Sequence, residues 1–310
     1  MDSTHDPENA GQPENAGRQG AGSPNETVVA LDIGGTKIAA GIVDAGGRIH
    51  DRLTVPTPAT ADAEELFGAL TAAIAELDGA HRHATAIGVG CGGPMTGGGE
   101  RVSPLNIPAW REFPLRARLA DTCALPVYVD NDAKALARGE GWIGAARGAR
   151  DYIAMVVSTG VGGGIVLDGR LLEGDDGNAG HIGHVIVEPE GAPCGCGARG
   201  CVEAEASGTA IARITGRPPA EAPSEIRART GRLVGRGIAS VANLLDLPLA
   251  VVSGSVALGF GETFFAAAQA EIDARCRLEF SRGTRVVPGA LRDDGPLIGA
   301  AAVALFAARA

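Results

Sequence analysis

Four side chains able to bind a metal crowd into one short stretch: His184, Cys194, Cys196 and Cys201. The cysteines lie in the glycine-rich run Pro193-Cys194-Gly195-Cys196-Gly197-Ala198-Arg199-Gly200-Cys201. Glycine lets a backbone turn tightly enough for several thiolates to converge on one point. A set of three Cys and one His makes a closed tetrahedral zinc site, structural rather than hydrolytic. Core packing does not account for the pattern, because cysteines spaced among glycines bury little. A disulfide reading leaves one of the three thiols unpaired, and nothing in the chain signals secretion.

A second chemistry lies in two glycine turns. The apolar run Thr27-Val28-Val29-Ala30-Leu31 leads into Asp32-Ile33-Gly34-Gly35-Thr36-Lys37, and Ile38-Ala39-Ala40-Gly41-Ile42-Val43 returns. Strand, turn and strand make a hairpin, and a turn with bare N–H groups can face a phosphate. A Gly-Gly hairpin alone is ordinary. Asp32 and Thr36 add to it, since a carboxylate can hold the waters of Mg²⁺ and a hydroxyl can bond a phosphate oxygen. The same pattern recurs about 125 residues later: strand Tyr152 to Val157, turn Ser158-Thr159-Gly160-Val161-Gly162-Gly163-Gly164, and strand Ile165 to Leu167. Two such hairpins imply two similar halves facing one nucleotide. Neither is a Walker loop or a dinucleotide fingerprint, because a strand rather than a helix follows the glycines.

Between the hairpins the strand Pro126-Val127-Tyr128-Val129 ends in Asp130-Asn131-Asp132, and a helix is predicted from Ala133 to about Ile143. The carboxyl end of a strand opens into the crevice of an α/β sheet. There Asp132 can accept the proton of a substrate hydroxyl, and Asn131 can bond sugar hydroxyls. An Asp at this place also caps the following helix. With Asp130 as the cap, Asp132 is left free.

The elements that must position these groups fit an enzyme-sized chain. Its 310 residues suffice for two domains. A formal net charge of −10 argues against nucleic acid as the main partner. No apolar run is long enough for a membrane span, and the N-terminus carries no secretory signal, so a cytoplasmic location is expected. Residues 1–26 hold almost no large apolar side chains and read as a disordered tail. Ala61 to Ala80 reads as a helix with Phe67, Leu70, Ile74 and Leu77 inward, and His81 and His83 near its end read as solvated. Gly231 to Leu247 and Leu297 to Ala308 read as further helices. Of 27 basic residues only Lys37 and Lys134 are lysines, an arginine bias that speaks of codons in a GC-rich genome.

Taken together, Asp32 to Lys37, Ser103 to Trp110, Asp130 to Ala133, Ser158 to Gly164 and Asn178 to Gly208 resemble the ROK family of sugar kinases and repressors. The resemblance runs from residue 28 onward, and the spacing of His184, Cys194, Cys196 and Cys201 is its most specific element. It implies an α/β, actin- and hexokinase-like fold of two domains closing on ATP with Mg²⁺ and a sugar, as a homodimer. The expected domains are 27–132 plus 291–310, and 133–290 with the zinc loop.

By the same resemblance Asp132 is the catalytic base. Gly93, Asn106, Asn131, His181, His184 and Glu203 line the sugar pocket, with His184 also holding zinc. Asp32, Gly34, Gly35, Thr36, Lys37, Ser158, Thr159, Gly160, Gly162 and Gly163 meet ATP, and Gly254 lies on the adenosine side. One departure stands out. Glucose-type members carry Glu where this chain has His181, as N-acetylmannosamine kinases do. A carboxylate accepts two hydroxyl donors, whereas a neutral imidazole offers one donor and one acceptor. The expected substrate is therefore an amino hexose, of the N-acetylmannosamine type or the kanosamine type of antibiotic biosynthesis, phosphorylated at its 6-hydroxyl. Glucose is the alternative. A ROK-type repressor or sugar sensor is the rival class, disfavoured because the short polar tail supplies no DNA-binding domain.

Overall fold

A computed structural model describes residues 26–77 and 83–307. All but the last residue of the expected tail, and His81, lie outside the described residues.

Among them the strands form two five-stranded sheets of identical plan. In the first, Thr27–Ile33 (β1), Lys37–Asp44 (β2) and Ile49–Pro56 (β3) run antiparallel. Ile87–Cys91 (β4) then lies parallel to β1, and Val127–Asn131 (β5) parallel to β4. In the second, Tyr152–Val157 (β6), Val161–Leu167 (β7) and Arg170–Leu171 (β8) repeat the antiparallel meander. Leu249–Ser253 (β9) and Arg285–Pro288 (β10) repeat the parallel pair. The orders are β3-β2-β1-β4-β5 and β8-β7-β6-β9-β10. The two halves expected from the glycine hairpins are thus two copies of one sheet.

The helices cover both faces of each sheet, which explains the near-continuous apolar runs of β1 and β6. Ala63–Glu76 (α1) and Leu115–Cys123 (α2) bury Leu66, Phe67, Leu70, Ile74, Leu115 and Leu119 against Leu31, Ile33, Val89 and Val129. Asp132–Trp142 (α3) joins the halves. Val202–Ala206 (α4), Gly208–Thr215 (α5), Ser224–Leu245 (α6), Ser255–Phe260 (α7) and Glu262–Arg275 (α8) belong to the second half. There α6 and α8 bury Leu233, Ile238, Val241, Phe264 and Ile272 with Ile153, Met155 and Val252. Gly295–Ala307 (α9) returns to the first sheet and packs Leu297, Ile298, Ala301 and Leu305 on Val28, Ala30 and Val43.

Three expectations change. The second glycine run is not all turn: Ser158 to Gly160 make the reversal, and Gly162, Gly163 and Gly164 lie inside β7. Their bareness lets α3 sit directly on the strand. A Cβ on Gly162 would stand 2.8 Å from the Cβ of Ala133, and one on Gly164 2.8 Å from that of Ala137. The helix α6 starts at Ser224 rather than Gly231. Its first two turns are too polar to show an apolar stripe, and the Arg227 guanidinium secures them by donating to the Ala222 and Ala220 carbonyls, each at 2.8 Å. The helix α1 starts at Ala63, not Ala61, because Asp62 caps it by accepting the Glu64 N–H. No helix among the described residues is long and apolar enough to cross a membrane.

Candidate active site

The parallel strands β1, β4 and β5 end level, with Asp32 opposite Gly90 and Gly90 opposite Asp130. The chain leaves β5 directly into α3. Asn131, not Asp130, is the cap: its Oδ1 accepts the Ala133 N–H at 3.1 Å, and Asp132 Oδ1 accepts the same N–H at 2.8 Å. Asp130 is engaged elsewhere, 3.3 Å from the Lys134 ammonium and 3.4 Å from Arg138 Nε. Asp132 is therefore the first residue of α3 and stands at the mouth of the sheet.

Asp32 and Asp132 share one small space. A Cβ on Gly90 would lie 3.6 Å from the Asp132 Cα and 3.8 Å from Asp32 Oδ1. Burial pushes the Asp32 carboxyl up to about 7, the Asp132 charge adds to the rise, and Lys37 opposes it. Asp132 is exposed at the surface of the cleft, yet protein surrounds its carboxyl at slightly longer range. That desolvation raises it above its usual value, against the pull of the Ala133 N–H and of His181. A cation between such carboxylates would relieve both effects.

Each glycine turn is pinned by hydrogen bonds. In the first, the Gly34 N–H donates to the Lys37 carbonyl at 3.0 Å and the Thr57 hydroxyl donates to the Gly34 carbonyl at 2.7 Å. In the second, the Gly208 N–H donates to the Ser158 carbonyl at 2.7 Å, and the Thr209 hydroxyl to the Thr159 carbonyl at 3.0 Å. Ser158 Oγ lies 3.0 Å from Ser255 Oγ, beside Gly254, whose φ of 98° and contact with the Val157 backbone exclude a side chain. Glu203 on α4 accepts the Val161 N–H at 2.9 Å, tying this turn to the cysteine loop.

Of the residues expected at a sugar pocket, Asn131 adjoins Asp132 and His181 feels the Asp132 charge. A Cβ on Gly93 would lie 3.6 Å from Asn131 Nδ2, the half of that amide not used in capping. The loop bearing Asn106 rests on the first hairpin, where a Cβ on Gly35 would meet the Asn106 carbonyl at 2.6 Å. His181 is exposed in the cleft, its ring centroid 6.1 Å from that of His184. Desolvation holds its imidazole below the ordinary value, helped by His184, against the charges of Asp132 and Glu203.

Below this, the four ligand atoms of His184, Cys194, Cys196 and Cys201 lie within 4.8 Å of one another. Cys194 Sγ is 3.6 Å from His184 Nδ1, and Cys196 Sγ is 3.8 Å from Cys201 Sγ. Tetrahedral zinc with Zn–S near 2.3 Å separates its sulfurs by about 3.8 Å, so the set fits that ion. The Nδ1 edge of His184 faces the thiols, leaving Nε2 for the cleft. Gly200 makes the loop possible: its φ is +68° and a Cβ there would stand 1.5 Å from the Glu188 carbonyl oxygen.

Three residues escape motif reading. Arg111 donates to the carbonyls of Pro104, Ile107 and Trp110 at 3.0, 2.9 and 2.6 Å, shaping the Asn106 loop. Glu140 is fully buried and accepts from the N–H groups of Ala145, Ala290 and Leu291 and from the Ser253 hydroxyl. It thereby joins α3 to β9 and to the connection into α9. Lys134 is also buried, and its scarcity was the signal that could have marked it.

Known proteins resemble this chain in sequence and fold. The chain is 38% identical over 252 residues to the N-acetylmannosamine kinase of Escherichia fergusonii, covering 76% of this chain and 85% of that protein. The crystal structure of a ROK hexokinase from Thermus thermophilus superposes with a TM-score of 0.77 at 34% identity, covering 91% of this chain and 99% of that one. A ROK family glucokinase from Streptomyces griseus, in complex with glucose and AMPPNP, gives a TM-score of 0.78 at 33% identity over 89% of this chain and 98% of that one. A sequence model of the ROK family matches residues 28–306, so this chain belongs to the ROK family, with its actin- and hexokinase-like fold.

Proposed function

We propose that this protein is an ATP-dependent sugar kinase that phosphorylates the 6-hydroxyl of an amino hexose. The observation that carries the reading is the stand of Asp132 at the head of α3, against the second glycine hairpin and beside Asp32. In that position a carboxylate with a raised proton affinity can take a hydroxyl proton as the oxygen attacks a γ-phosphorus and ADP leaves. Mg²⁺ supplies neutralisation of the phosphate charge when bound with ATP. The residues that would meet it are Asp32, Gly34, Gly35, Thr36 and Lys37 on one hairpin. Ser158, Thr159, Gly160, Gly162 and Gly163 serve the other, with Gly254 at the adenosine. Gly93, Asn106, Asn131, His181, His184 and Glu203 would hold the sugar. The lobes closing on it are 27–132 plus 291–310, and 133–290, in a cytoplasmic homodimer.

The amino-hexose preference rests on His181 and on the likeness to the N-acetylmannosamine kinases. Glucose, which accompanies the 33% identical structure, is the second candidate. Zinc, in this reading, is held by His184, Cys194, Cys196 and Cys201 and fixes His184 so that its other nitrogen meets the sugar.

Outcomes are expected for the base, the metal and the sugar. In a coupled ADP-release assay, Asp132→Asn lowers kcat by about 10²–10⁴-fold with folding intact. The acid limb of the wild-type kcat/KM profile lies above the usual carboxylate range, because the raised Asp132 carboxyl must ionise to act as base. Near-normal kcat in the variant would refute the base. Metal analysis finds about one zinc per chain, and Cys196→Ser loses zinc and binds sugar more weakly. Active enzyme without zinc would remove the metal from the account. Across glucose, kanosamine, N-acetylmannosamine and N-acetylglucosamine, kcat/KM is highest for an amino hexose. His181→Glu shifts the ratio toward glucose by about tenfold or more. An unchanged ratio would remove His181 as the determinant of specificity, and a wild type preferring glucose would make the protein a glucokinase by this measure.

A further inference from the structure

This chain has 27 basic residues, and Lys37 and Lys134 are its only lysines. Lys134 stands on α3 two residues beyond Asp132, with its side chain only 2% exposed. Its ammonium lies 3.3 Å from Asp130, bonds the Glu173 carboxylate, and donates to the Gly177 carbonyl at 2.9 Å. One turn on, Arg138 reaches the same two carboxylates, Asp130 at 3.4 Å and Glu173 at 3.0 Å. Asp130 belongs to β5. Glu173 and Gly177 open the segment that runs through Gly180 into His181. The ammonium is therefore the joint between the helix that begins with Asp132 and the segment that delivers His181.

The chemistry of the joint selects lysine. Three acceptors converge on a compact point charge in a nearly closed slot, whereas a guanidinium is planar and wider and presents a fork. The cost of a buried charge is met only while its partners stay in place. Losing both Glu173 and Gly177 would leave the ammonium buried beside Asp130 alone, so the charge itself holds the segment to the helix. The nucleotide side is secured separately, by Gly208, Thr209 and Ser255 on the Ser158 turn.

We propose that Lys134 is a positioning residue that clamps segment 173–180 to the head of α3 and so sets His181 against Asp132 across the sugar pocket. The inference rests on the roles given above to Asp132 and His181, and it predicts an effect on sugar and not on nucleotide.

The test uses the full-length protein. In Lys134→Met, amide hydrogen exchange across 173–181 speeds up by about tenfold or more, while the C-terminal turns of α3 keep their protection. The sugar KM rises by about tenfold and the ATP KM by less than about twofold. Lys134→Arg does not restore either. Glu173→Gln, on a half-exposed partner, shows the same split, and the double variant is no worse than Lys134→Met alone. Unchanged exchange and sugar KM in either single variant would overturn the clamp, as would equal rises in both KM values or additive effects. Should Lys134→Met not fold, Glu173→Gln decides by the same two readouts. A wild type without sugar-dependent ADP release would defeat the kinase reading, while the exchange measurement would still decide the clamp.

Discussion

Two carboxylates brought together at the mouth of the first sheet set the terms for this structure. Asp32 is the penultimate residue of β1, Asp132 begins α3, and Gly90 has no side chain to hold them apart. Burial raises the cost of ionising both, and at Asp32 the Asp132 charge adds to it. A fold does not gain stability by such a pairing. The parallel register of β1, β4 and β5 imposes it, and the hydrogen bonds around both hairpin turns keep it from relaxing. An arrangement that is strained alone and relieved by a bound cation suits a site whose work is phosphoryl transfer.

The helix α3 carries that constraint through the molecule. Its first turn lies flat on β7 because Gly162 and Gly164 have no side chains to keep Ala133 and Ala137 away. Lower down, Gly139 and Gly299 allow α3 and α9 to cross in backbone contact. Glu140 draws β9 and the residues before α9 onto the same helix. Lys134 draws in the segment before His181. Both sheets, α9 and the segment that leads into His181 thus pack on one element of eleven residues.

Much of this was legible in the sequence, for physical reasons. Chemistry-bearing residues announced themselves by type and spacing: cysteines among glycines, Asp and Thr flanking Gly-Gly, and polar residues at a strand end. The duplicated hairpin foretold the duplicated sheet. The glycines at 162–164 were misread as turn because a glycine in a strand looks the same as one in a loop until the packing helix is seen. The cap was misassigned to Asp130 because Asp and Asn cap equally well and only the backbone decides. The polar start of α6 left no periodic signal. Arg111, Glu140 and Lys134 act through carbonyls, N–H groups and charges distant in sequence, which no local pattern encodes.

The most direct test of the carboxylate pair is the stability of the protein without nucleotide or Mg²⁺. Asp32 has a folded value of about 7, well above the unfolded value of about 4. Its contribution to stability is then full below about 4 and is lost as the pH rises to about 7. Asn at this position does not titrate. The unfolding free energies of wild type and Asp32→Asn are to be compared at about pH 5 and about pH 8. The account predicts that the variant gains on the wild type between the two, being the more stable protein at the higher pH. A difference that is the same at both pH values, or that moves in favour of the wild type as pH rises, would contradict it.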